Sequence, residues 1–124
     1  MRHRGSGAGG AQLLARPGRP RLLGFGEPLH GEEEFSRLRN ALFGYLVRHA
    51  GFRSIALESS CWAGRAVDAY VRHQPGDEDD VMAHGFSHDF GASPANRDLV
   101  RWMRQHNADR AASSAQKAGS ATYG

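Results

Sequence analysis

Cysteine occurs once in the 124 residues, at Cys61, and lysine once against fifteen arginines. A single cysteine excludes an intramolecular disulfide framework and any zinc site built from several thiolates. It fits a reducing, cytoplasmic setting. Long apolar runs are also missing. The longest one in the first 21 residues is Leu13-Leu14-Ala15, so no secretory leader is expected. Nowhere does the chain approach the roughly 20 apolar residues of a membrane-crossing helix, and no membrane partner is expected. Positive charge is scarce where the chain can fold. Residues 22–107 hold nine Arg against twelve Asp or Glu, whereas residues 1–21 hold five Arg and no acid. The net +3 therefore comes from the ends of the chain, and a basic nucleic-acid-binding face on the fold is not expected. The basic segment also has no Phe, Tyr or Trp to stack on bases.

What remains reads as one small domain between two biased segments. Residues 1–21 are rich in Gly and Arg, with Pro17 and Pro20, and predict a disordered lead. Residues 108–124 are Ala, Ser and Gly with few large side chains, and predict a low-complexity tail. Within 22–107, Leu22 to Phe25 reads as a short strand ended by Gly26, and Ser54 to Leu57 as a second. Between them, Phe35, Leu38, Leu42, Tyr45, Leu46 and His49 fall three and four residues apart, one face of a helix from Glu32 to about Ala50. Glu32 to Glu34 complement its positive end, and Gly51 suits its left-handed stop. Strand, helix and strand make a βαβ unit, so the fold expected is α/β with short parallel strands and flanking helices. Further helices are expected over Trp62–Arg72 and Asp98–Asn107, with Ser93-Pro94 as cap and first helical position of the latter. Residues 75–90, with an acidic run at Asp77–Asp80, read as irregular.

Ligands of open parallel sheets bind beyond the carboxyl ends of the strands. Glu27 and His30 would follow the first strand in a Gly-flanked turn, and Glu58 would end the second. A histidine held there by carboxylates suits a general base that takes a proton from water. The same residues have a plain structural reading, as strand-end polar groups and helix caps. A metal site from Glu27, His30, Glu34, His84, His88 and Asp89 has the right ligand types but matches no closed zinc spacing. Cys61, with Glu58 close in sequence and no nearby histidine, reads as a buried structural thiol.

The run Gly26-Glu27-Pro28-Leu29-His30-Gly31, then Glu34-Phe35, Leu38-Arg39 and Ile55-Ala56-Leu57-Glu58, resembles the erythromycin esterase family. So do Asp68, Tyr70 and Val71, and Leu99-Val100-Arg101-Trp102-Met103-Arg104 with Asn107. The resemblance implies hydrolysis of an ester or macrolide lactone by water, without a covalent nucleophile and with no cofactor. It implies His30 as general base, Glu27 and Glu58 as the acids that orient base or water, and Arg39 as a cleft arginine. On helical periodicity alone, Arg39 falls on the polar side of its helix and reads as solvated. Family members are several times longer and draw on later histidines, which His84 and His88 do not match. The change of composition at Ala108 therefore predicts a truncated chain, marginally stable alone and weakly active or inactive. A non-catalytic domain remnant that binds a partner is the alternative reading.

Overall fold

The structure is a computed structural model that describes the backbone of residues 11–12, 14–15, 18, 20–26 and 32–121, and side chains up to residue 115. The chain divides into two compact units, Met1–Leu57 and Glu58–Gly124.

The first unit is organised on helix α1, Glu33–Ala50. Glu33 and Glu34 lie in its first turn and Arg48 and His49 in its last, each sign opposing the dipole end beside it. Gly51 stops the helix in the left-handed region at φ 75°, and the N–H groups of Gly51 and Phe52 both return to the Leu46 carbonyl. The buried face differs from the one expected. Arg39, Phe43, Gly44 and Leu46 are buried, while Leu38 is 44% exposed. The helix is turned so that Arg39, Leu42, Phe43 and Leu46 face the segments at either side of it in sequence, around Leu22–Phe25 and Phe52–Ala56.

Those segments correct the expected fold class. Among the described residues the chain is helical, with no strand and no sheet, so the α/β reading with parallel strands does not hold. Residues 22–26 and 52–57 lie against α1 without a ladder between them. The physical reason is that a strand is defined by its partner. Two short apolar runs can bury side chains on one helix while their backbones remain unpaired, and a two-stranded ribbon is marginal at best. None of the described residues of either run is fully buried, and Leu22 is 89% exposed, so the apolar composition of the runs signalled neither pairing nor full burial.

The second unit is a helical assembly of α2 (Cys61–Val71), α3 (Glu78–His84), a 3₁₀ turn at Phe90–Ala92 and α4 (Pro94–Ala121). Val71, Met82 and Val100, one from each helix, form its core, with Val67, Tyr70, Phe86 and Met103 packed around them. Helix α3 lies within the stretch expected to be irregular. Its start follows from Asp77, whose carboxylate accepts the Asp80 N–H at 3.0 Å, and from three acids in the first turn. Helix α4 starts as the Ser93-Pro94 pair implies, with Ser93 Oγ accepting from Asn96 N–H. It then runs past Asn107 through the Ala/Ser stretch, because alanine is the strongest helix former and Ala-rich chain extends a helix already nucleated. Among the described residues no helix is long and apolar enough to cross a membrane.

Two glycines are required by close packing. A Cβ at Gly85 would meet the Val81 carbonyl and Val67, and one at Gly91 would collide with the Met82 carbonyl. Both obstacles include rigid backbone. Gly91→Ala is therefore expected to destabilise the protein by about 1–3 kcal/mol, the usual cost of overpacking. Urea unfolding followed by far-ultraviolet circular dichroism checks this, and an unchanged midpoint would contradict it.

Candidate active site

Arg39 is buried, at 9% exposure, which corrects the expectation of a solvated side chain. Its Nε and Nη2 donate to Asn40 Oδ1 at 3.2 and 2.9 Å. It lines a groove of about 670 Å³ with Leu22, Leu23, Phe25, Phe43 and Leu46. A guanidinium held in an apolar groove suits a ligand that is mostly apolar but carries an oxygen acceptor. Glu27 and His30 lie outside the described residues.

Glu58 opens the second unit and is exposed. Among the described residues nothing forms an ion pair or hydrogen bond with its carboxylate, so it does not cap α2. The cap residue is Ser60, without a side-chain bond to the helix. The residues after Glu58 are tied to a distant loop. Ser87 N–H donates to Ser59 Oγ at 3.0 Å, and Ser60 N–H donates to Ser87 Oγ at 3.1 Å. The two hydroxyls are 3.3 Å apart, and His88 Nδ1 lies 3.0 Å from Ser87 Oγ. Sequence reasoning missed this cluster, since no spacing links residues 59 and 87.

The residues that carry the family resemblance in α2 and α4 meet each other. Arg104 Nη1 donates to the Tyr70 carbonyl, and its guanidinium stands 4.0 Å from the Tyr70 ring centroid. Asn107 Nδ2 donates to the Val71 carbonyl at 2.9 Å, and His73 Nε2 donates to the Arg104 carbonyl. These contacts close the carbonyl end of α2, where a cation also opposes the helix dipole. Trp102 stacks on His106. Asp68 pairs with Arg72 on the surface.

Cys61 is exposed, not buried as expected, because the first position of α2 faces solvent. Trp62 beside it is 76% exposed, with the Arg65 guanidinium 5.6 Å from its ring. Among the described residues no three His, Cys, Asp or Glu side chains meet to hold a metal ion. Of the candidate ligands, His84 pairs with Asp80, while His88 contacts Ser87.

The acidic start of α3 is bound to α4. Arg97 Nη1 lies 2.7 Å from both Glu78 Oε1 and Asp79 Oδ1, and Arg101 engages both Glu78 oxygens at 2.9 Å. The hydrogen bond from Arg101 holds the Glu78 carboxyl below its ordinary value of 4.5, aided by Arg97 and opposed by partial desolvation.

The second unit is thus a helical assembly in which side chains of α4 bond the carbonyl end of α2. The family model for erythromycin esterase matches residues 47–120, more than half of the chain. The chain belongs to the erythromycin esterase family. The matched span contains Glu58, the Asp68–Val71 and Leu99–Asn107 motifs and the Ser87 cluster, and begins after Glu27, His30 and Arg39. No solved structure matches the chain.

The lowered Glu78 pKa fixes a pH dependence. A depressed carboxylate stabilises the fold above its unfolded value and loses that contribution as pH falls through the folded value. The melting temperature is therefore expected to fall by a few degrees as pH drops from about 4.5 through the lower folded value. Glu78→Gln removes that part of the acid dependence and lowers Tm at neutral pH. Equal acid profiles for the two proteins would contradict the assignment.

Proposed function

We propose that this chain acts, with weak activity, in the hydrolysis of a carboxylic ester or macrolide lactone by direct attack of water. The observation that carries the reading is the family match across residues 47–120, which includes Glu58. The Gly-Glu-x-x-His-Gly motif at Gly26–Gly31 supplies the chemistry. His30 takes a proton from water as the water oxygen attacks the carbonyl carbon. Glu27 and Glu58 orient the imidazole and the water. The acyl C–O bond then breaks, the alcohol leaves with the proton from His30, and the acid remains. Arg39 binds an oxygen of the substrate, consistent with its buried guanidinium in an apolar groove. The partner is a small apolar ester, not a nucleic acid or a membrane, and the setting is cytoplasmic, where the exposed Cys61 stays a free thiol.

Hydrolysis of an aryl ester and of a 14-membered macrolide lactone, followed by product mass, tests the reading. The wild type is expected to exceed the uncatalysed rate. His30→Ala is expected to lose about 10²-fold or more, the usual contribution of a general base. Equal rates for wild type and His30→Ala would overturn it.

A further inference from the structure

The cluster of Ser59, Ser60, Ser87 and His88 is outside the catalytic set proposed above, yet it lies directly after Glu58 in the same unit. Its bonds are reciprocal. Each of Ser59 and Ser87 offers a hydroxyl that accepts a backbone N–H from the other segment, and the hydroxyls lie 3.3 Å from each other. A residue at position 87 without a hydroxyl leaves the Ser60 N–H without that partner. Glu58 lies outside any helix, and the clamp holds the two residues that follow it.

The loop that carries the clamp is costly to form. His88 and Asp89 both have left-handed backbones, at φ 56° and 59°. Non-glycine residues persist there only where the surroundings over-determine the conformation. Here three features do so. The serine clamp holds one end of the loop. Gly91 packs on the Met82 carbonyl, and Asn96, buried, donates to the Phe90 carbonyl at 2.9 Å. Phe86, next to Ser87, packs against the core of Val71, Met82 and Val100, so the loop is held by the core on one side and by the serine clamp on the other.

We infer that Ser87 is a positioning residue for Glu58: its hydroxyl and N–H clamp Ser59 and Ser60 and so fix the backbone that carries the Glu58 carboxylate. The inference rests on the proposed role of Glu58. His88 lies beside the clamp, with Nδ1 3.0 Å from the Ser87 hydroxyl.

The test is a double-mutant cycle on ester hydrolysis by the full chain, with Ser87→Ala, Ser87→Thr, Glu58→Gln and Ser87→Ala/Glu58→Gln. Ser87→Ala is expected to lower kcat at least tenfold with KM within twofold. Ser87→Thr, which keeps the hydroxyl, restores most of the rate. In the Glu58→Gln background Ser87→Ala has no further effect, because its target is already lost. Equal losses in both backgrounds, or a loss confined to KM, would overturn the inference. If His30→Ala and Glu58→Gln both hydrolyse at the wild-type rate, the proposed function fails instead. Amide hydrogen exchange decides the clamp whatever the turnover. Exchange at Ser60 is expected to rise at least tenfold in Ser87→Ala and to stay slow in Ser87→Thr. Unchanged exchange in Ser87→Ala would show that no clamp exists.

Discussion

The last turn of a helix presents carbonyl oxygens that its own amides do not fill, and they need partners when other elements pack over them. In the Glu58–Gly124 unit α4 provides those partners for α2. Arg104 reaches the Tyr70 carbonyl, Asn107 the Val71 carbonyl, and His73 returns a bond to α4 at the Arg104 carbonyl. Three side-chain bonds across one junction fix both the crossing and the register of the two helices. Val71 then lies against Val100, and Met82 of α3 completes the core. Farther toward the start of α4, Arg97 and Arg101 hold the acidic first turn of α3. One helix thus adds side-chain donors at the last carbonyls of one neighbour, of which Tyr70 also accepts the His73 N–H, and meets the negative charge of another.

This arrangement carries the chemistry only indirectly. The loop between α3 and α4 is pinned by Gly91 against Met82 and by Asn96 at Phe90, so it follows wherever α3 and α4 are placed. Ser87 in that loop reaches back to Ser59 and Ser60. The residues that give the chain its family resemblance in α4 are, in this unit, residues of assembly: they cap, pair and pack. The residues proposed for proton transfer are not among them.

Much of the helical structure was legible. Helix α1 ended at Gly51 for the reason its sequence implied, a left-handed stop after a basic last turn. Ser93-Pro94 marked the start of α4, and α2 fell within one residue of its expected span. The expected strands are absent from the described residues, because an apolar run does not reveal whether it has a partner strand. The rotation of α1 was hidden for a related reason. Periodicity placed Leu38 inside and Arg39 outside, and the structure reverses both. A long arginine can be buried when its donors are engaged, and hydrophobicity counts cannot see that. Helix α3 was missed although its signal was present, an aspartate cap and acids before Val81-Met82. Of the candidate site, Arg39 was identifiable only by resemblance, Glu58 was singled out as the acid ending a strand that the described residues do not form, and the clamp at Ser87 depends on a contact 28 residues long.

The claim at the centre is that α4 sets the geometry of the whole second unit, including the segment that follows Glu58. Residue-resolved amide hydrogen exchange of wild type and Asn107→Ala tests it most directly. The account predicts that removing the Asn107 bond raises exchange at the end of α2 and, together with it, at Ser87 and Ser60. Faster exchange confined to the last turn of α2, with Ser60 and Ser87 unaffected, would contradict it.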